Sequence, residues 1–176
     1  MVYYWTLFLE LLLELISLLL VIGGCTCLFT VFFGPPFIPT PMSLIKELTQ
    51  IANISQKDVV IDLGSGDGRM LIHAARQGAT AKGWEINPFL VLWTRLAIHH
   101  YKVGKRATVH LQNYHKANLS EATVVFIYNF PPHIPKLEQK LKKDLQKGTT
   151  IISYKFIFPN LELISTPKPD TFVYIV

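Results

Sequence analysis

No lysine or arginine occurs before Lys46, although the chain holds seventeen of them. That absence argues against a secretory leader, which opens on a basic stretch, because the start MVYYWTLFLELLLE carries Glu10 and Glu14 instead. Cysteine is nearly as scarce. Cys25 and Cys27 are the only two, and at that spacing they build neither a disulfide framework nor a zinc site. Packing is their expected role. The six histidines are scattered, with only His99 and His100 adjacent, so no metal site is expected. Internal repeats and low-complexity tracts are also missing.

Charge is absent altogether from Leu15 to Phe33, nineteen residues that as a helix reach about 28 Å, close to the thickness of a bilayer core. Residues 1–34 are therefore expected to form a transmembrane anchor held in the lipid bilayer through residues 15–33. All the basic residues follow it, which puts the remaining domain on the cytoplasmic or equivalent side of a single-pass protein. Glu10 and Glu14, one helical turn apart, fall near the far interface. Ile22-Gly23-Gly24-Cys25 has the form of a lipoprotein cleavage box, but the missing basic start weighs against that use.

GPPFIPTP comes next, with four prolines in eight residues, and reads as a stiff linker over residues 35–41. From there, residues 42–176 form one domain, large enough for its own core. MSLIKELTQIANI has apolar residues at helical spacing, and then strands alternate with helical or turn segments: DVVIDL, ATAKGWEI, ATVHLQN, ATVVFIYN and TTIISYKF. Such alternation predicts an α/β fold with a parallel sheet and helices on both faces. LELIST and TFVYIV, joined by PKPD, read as a closing hairpin. Lys136, Lys140, Lys143 and Lys147 form a stripe expected to be solvated. The domain holds seventeen basic against ten acidic residues, which beside an anchor favours anionic lipid over nucleic acid as a partner.

The chemistry concentrates in VVIDLGSGDGRM, where a strand runs into Asp62 and then Gly64, Gly66 and Gly68. Arg69 stands where a dinucleotide fingerprint needs its third glycine, and a carboxylate at Asp62 would repel a phosphate. An amine or hydroxyl suits Asp62 better. Glu85, at the end of the second strand, can take both hydroxyls of a ribose, and Asn113 at the end of the third can offer its amide to an adenine edge. The three together suggest an adenosine without phosphates.

DLGSGDG and GWEINP resemble the first two motifs of the class I S-adenosylmethionine-dependent methyltransferases. The resemblance implies a Rossmann-like sheet and S-adenosylmethionine as cofactor. Asp62 would lie near the methionine amino group, Gly64, Ser65 and Gly66 at the close backbone approach, Glu85 at the ribose and Asn113 beside adenine. A closer resemblance joins PFIPTP at 36–41, LGSGDGR at 63–69, EINP at 85–88, PKLEQKL at 135–141 and FIFP at 156–159. Their order is that of the membrane-anchored protein-lysine methyltransferases first recognised in mitochondria and their prokaryotic relatives. An aspartate is usual in that family where Asn113 stands.

IYNFPPHIP, after the fourth strand, resembles the N-P-P-Y loop of amino-methylating enzymes, with the order changed to N-F-P-P. Asn129 is thereby expected to accept a hydrogen bond from the target amine and Phe130 to wall the sulfonium. These residues lead to methyl transfer from S-adenosylmethionine to a nitrogen nucleophile, a lysine of a protein in or near the membrane. Three alternatives stand beside it: a small-molecule or nucleic-acid methyltransferase, a catalytically silent cofactor-binding module, and a membrane scaffold that retains only the fold.

Overall fold

The computed structural model describes residues 2–33, 37–128 and 134–176. Two compact units divide the chain, residues 1–36 and residues 37–176. The first contains a single helix, α1 (Val2–Phe33). Within it, Tyr4–Ile22 has the length and composition to cross a membrane, with mean hydropathy 2.3. The expected Leu15–Phe33 segment lies in the same helix, but the window found in the structure starts nearer the N-terminus and contains Glu10 and Glu14. Two carboxylates in nineteen residues are few enough for aliphatic neighbours to outweigh them.

The second unit begins with α2 (Met42–Ile51) and continues through β1 (Val59–Leu63), α3 (Arg69–Arg76), β2 (Thr80–Glu85), α4 (Pro88–His100) and β3 (Ala107–Leu111). A 3-10 turn (Tyr114–Lys116) leads to β4 (Val124–Ile127), α5 (Ile134–Asp144), β5 (Thr150–Tyr154), β6 (Glu162–Lys168) and β7 (Thr171–Ile175). All five expected strands and the closing hairpin are present. The sheet order is β3-β2-β1-β4-β5-β7-β6; the first five strands run parallel, and β7 pairs antiparallel with both β5 and β6. The sheet is therefore mixed, as a hairpin added to a parallel sheet requires. Strand order reverses between β1 and β4, and the carboxyl ends there form the crevice where open α/β sheets bind ligands.

Alternation along the strands divides the core in two. Val60, Ala81, Val124, Phe126 and Ile152 face α2, α3 and α4 through Ile45, Leu48, Leu71 and Ile98. Ile61, Leu63, Val125, Ile127 and Ile151 face the other way, against Leu137, Leu141 and Leu145 of the α5 region. Neighbouring residues of one strand thus serve opposite layers, so helices cover both faces. Both cores are built wholly within residues 37–176, so this unit supplies its own hydrophobic stabilisation. The exposed edge strand β6 is broken by register shifts and carries Pro167 and Lys168, features that discourage edge pairing with another chain.

The PKLEQKL helix and the FIFP turn meet through Glu138. Its buried carboxylate accepts hydrogen bonds from the Asn160 backbone N–H (2.6 Å) and from the Asn160 side-chain amide (2.9 Å). Phe158 N–H donates to the hydroxyl of the fully buried Tyr174 (3.0 Å). The lysine stripe is only partly solvated: Lys136, Lys143 and Lys147 are exposed, whereas Lys140 pairs with Asp144 and donates to the Ala117 carbonyl. Glu138→Ala leaves both Asn160 donors unpaired and should destabilise the domain by about 1–3 kcal/mol in urea unfolding.

Candidate functional site

β1 delivers the chain to the crevice and the glycines turn it there. Gly64, Gly66 and Gly68 take φ values of +87°, +54° and +78°, conformations that cost residues with a Cβ. Their surroundings differ. A side chain on Gly64 would meet nothing within 4 Å, so the backbone borders open space. One on Gly66 would strike the Phe37 ring at 2.6 Å, and one on Gly68 would strike Thr94 Cγ2 at 2.3 Å. Gly64 is thus the residue that leaves room for a ligand. Gly66 admits the Phe37 ring, and Gly68 lets α3 pack closely on α4.

Four anchors hold the loop. The Trp84 carbonyl accepts the N–H groups of Gly64 (2.9 Å) and Ser65 (3.1 Å). The buried Thr94 hydroxyl donates to the Gly66 carbonyl (3.0 Å). Arg69 pairs with Asp67 and donates to the Thr40 carbonyl (2.8 Å), tying the loop to the segment before α2. Glu85 is the fourth, and its carboxylate accepts N–H groups from Gly66 (3.0 Å), Ile86 (2.8 Å) and Asn87 (2.8 Å).

EINP has a local logic of its own. Asn87 caps α4 by accepting from Phe89 N–H (3.0 Å) and Leu90 N–H (3.4 Å), and Pro88 opens the helix where no N–H is needed. The motif therefore fixes the start of α4 next to Glu85. Burial raises the Glu85 carboxyl above its ordinary range while the three amide donors pull it down. Asp62 has no such donors among the described residues. Burial, followed by the nearby charges of Glu85 and Asp67, pushes it up to about 7.

These positions fit an adenosyl amino acid. Asp62, Asp67 and Glu85 lower the cost of bringing a cation to the loop, Gly64 leaves space, and the buried Ser65 hydroxyl has no hydrogen-bond partner among the described residues. Asn113 is different, because its side-chain oxygen accepts His115 N–H (2.9 Å) and caps the 3-10 turn. Only its amide nitrogen remains to face an adenine. Asn129 and Phe130 lie outside the described residues.

Sequence reasoning missed Phe37, read only as linker, and Thr94. A threonine between Val91 and Ile98 on the buried face of an apolar helix was the available signal for Thr94. It also missed an aromatic group at the carboxyl ends of β4 and β5. Tyr128 follows β4 and Tyr154 ends β5, their rings 5.2 Å apart and nearly perpendicular, with Phe156 stacked 6.4 Å from Tyr128. The Lys155 ammonium stands 6.0 Å from the Tyr128 ring centre and 5.7 Å from that of Tyr154.

Residues 62–165 match the family described as the ANTKMT methyltransferase domain. The chain belongs to that family. A protein-lysine N-methyltransferase of Saccharolobus islandicus is 37% identical to this ANTKMT-family chain over 123 residues, 69% of it and 76% of the relative. A lysine N-methyltransferase of Xenopus laevis, named for an ATP synthase subunit, is 34% identical over 125 residues, 71% of this chain and 55% of its own length. The chain spans about half the length of the vertebrate enzymes of that name. Among solved structures, an RNA methyltransferase from Salinibacter ruber bound to S-adenosyl-L-homocysteine has a TM-score of 0.75 and 34% identity, over 78% of this chain and 93% of that one.

The two outer glycines of the loop should behave differently when given a side chain. Gly64→Ala bears only left-handed strain, about 1–2 kcal/mol. Gly68→Ala adds the collision with Thr94. Chemical denaturation should therefore find Gly68→Ala clearly the less stable, whereas Gly64→Ala should be the one whose loss falls mainly on ligand affinity.

Proposed function

We propose that this chain transfers a methyl group from S-adenosylmethionine to a lysine amine of a protein at a membrane. The observation that carries the reading is Asp62, a carboxyl held near neutrality in a glycine-lined, acidic crevice with open space at Gly64. A phosphate would be repelled there, and an amino acid's ammonium would be welcomed. The fit, the family and the relatives' names support the cofactor. S-adenosylmethionine, when bound, supplies an electrophilic methyl on a positively charged sulfur.

The chain's own residues bind and orient. Asp62 accepts the ammonium of the amino acid portion, Glu85 offers its remaining acceptor position to the ribose, and Ser65, its hydroxyl packed against Gly83, contributes backbone to the cradle. Phe37 packs against the loop and excludes water from it. Asn129 and Phe130 are proposed for the acceptor side. A lysine at pH 7 must give up a proton, at a cost of roughly 4–5 kcal/mol from a reference pKa near 10.4. An aromatic wall lowers that cost by removing water from the ammonium. Tyr128 and Tyr154 offer ring faces that attract an approaching ammonium, as they do that of Lys155, which serves capture of the lysine before deprotonation and not the deprotonation itself. Alignment of amine and methyl then supplies the remaining advantage.

The membrane portion rests on α1, whose Tyr4–Ile22 window suits a single span with the domain on the side of the basic residues. The proline-rich segment is short, so anchoring raises the effective concentration of membrane-held acceptors. The direct test is transfer of labelled methyl by the full chain into isolated membranes, with the acceptor identified by mass spectrometry. Methyl-lysine in a membrane protein is expected, with a smaller yield there but not on a free peptide when residues 1–34 are removed. Label in RNA instead would favour the alternative suggested by the Salinibacter relative, and no label with intact cofactor binding would mark a silent module.

Asp62 also sets a pH dependence. Below about pH 7 its carboxyl keeps a proton and offers a bound ammonium no charge. Binding selects the anion, so it releases a proton and tightens as pH rises. Affinity for S-adenosylhomocysteine should increase up to about tenfold per unit between pH 5.5 and 7 and level off above. Calorimetry in buffers of different ionisation enthalpy measures the released proton. Asp62→Asn should flatten the profile.

A further inference from the structure

Helix α4 is apolar on two opposite sides. Val91, Thr94 and Ile98 are buried against the sheet, as the fold requires. The outer side repeats the pattern with Phe89, Leu92, Trp93 and Leu96, spaced to form one stripe, and all are exposed, Trp93 by 63% and Leu96 by 59%. Trp93 and Leu96 also border a cavity of about 550 Å³ beside α3, lined further by Met42, Ile72 and Tyr101. A soluble domain seldom leaves a Trp, a Phe and two Leu contiguous in water, and such patches mark an interaction surface. The stripe lies on the helix side turned away from the sheet, and the cavity it borders is also lined by Asp67 and Arg69, which pair with each other.

The surrounding charge identifies what covers it. From Ile86 to Ser120 the sequence has no aspartate or glutamate, while Arg95, Lys102, Lys105 and Arg106 follow within or just after the helix; Lys116 lies apart from them, beside Lys136 and Lys140 of α5. The first four are exposed. Arg76 lies with its guanidinium 4.4 Å from the Tyr101 ring centre, adding one more cation at the border of the stripe. A second copy docked on this face would set these cations against one another. Nucleic acid would gain nothing from aliphatic Leu92 and Leu96. A bilayer with acidic headgroups satisfies both parts, taking the apolar stripe to the acyl boundary and the cations to the lipid phosphates. Trp and Tyr are the residues that favour that boundary, and the chain already carries a segment of bilayer-spanning length in α1.

We infer that the outer face of α4, with Phe89, Leu92, Trp93 and Leu96 at its centre and Arg95, Lys102, Lys105 and Arg106 around it, is a docking surface for an anionic membrane. The contact is independent of α1 and of methyl transfer, and it would fix the orientation of the domain at the bilayer where an anchor alone fixes only its distance. Residues 37–176 contain both hydrophobic cores and can be tested without α1.

This fragment should sediment with vesicles of mixed phosphatidylglycerol and phosphatidylcholine but not with pure phosphatidylcholine, and salt should weaken the binding. Trp93→Ala/Leu96→Ala, which touches only exposed side chains, should reduce vesicle binding at least tenfold while leaving the unfolding midpoint and S-adenosylhomocysteine affinity unchanged. Charge reversal at Lys102 and Lys105 should have the same effect. Failure of the wild-type fragment to bind anionic vesicles would overturn the inference, as would equal binding by the double variant. A dimer in analytical ultracentrifugation that the double variant dissolves, or retention of RNA without vesicle binding, would reassign the face. None of these outcomes depends on whether lysine is the methyl acceptor.

Discussion

The structure around the crevice depends on one carboxylate. Glu85 ends β2, and its two oxygens accept backbone N–H groups from the glycine loop on one side and from the start of α4 on the other. A buried charge is costly when bare, and three amide donors offset the cost. The arrangement then fixes three elements at once: the loop cannot move from β2, α4 cannot shift from Asn87, and Thr94 on α4 returns a further hydrogen bond to Gly66. Asp62 bears the consequence. Buried, with the Glu85 anion nearby and no donors of its own among the described residues, Asp62 has its pKa pushed up to about 7. The loop is thus organised around a negative charge that structure satisfies and a second that a ligand must satisfy.

The features legible in the sequence were those set by local rules. Strand positions follow from short apolar runs, the closing hairpin from PKPD, and the loop from glycines at alternate positions. Partners distant in sequence were not legible. Gly66 reads as an allowance for a cofactor, yet it is Phe37, far back in the chain, whose ring occupies that space. Glu138 and Asn160 belong to two motifs whose connection is a pair of hydrogen bonds invisible to spacing. Asn113 carries a local role that spacing did not reveal, because its side-chain oxygen caps the 3-10 turn while its amide nitrogen stays uncommitted. The composition that identified an apolar N-terminal helix did not fix which window of it is long and apolar enough to span, since an uncharged stretch and one with two glutamates overlap within α1.

Helix α4 illustrates how one element can serve two layers. A helix apolar all round is ordinarily buried on all sides. Here the sheet covers only one side, and the other retains Trp93 and its neighbours in the open. The cap at Asn87 makes this tenable: with its start fixed to the Glu85 corner, the helix cannot rotate to hide the outer stripe without surrendering Thr94 and the buried face.

Charge is distributed accordingly. Asp62, Asp67 and Glu85 gather at the loop, and the next acidic residue in the chain is Glu121. The net charge of +5 would oppose a lysine substrate approaching from bulk water, but screening confines that repulsion to roughly 8–10 Å. At shorter range Asp62 and Glu85 govern the crevice, Asp67 being paired with Arg69. On the proposed reading a membrane surface would change the approach itself, because anionic headgroups would attract the basic domain and a lysine-bearing acceptor alike. The same positive charge that opposes a free encounter would then assist one held at a bilayer, so that a basic domain and an acidic crevice are compatible in one chain.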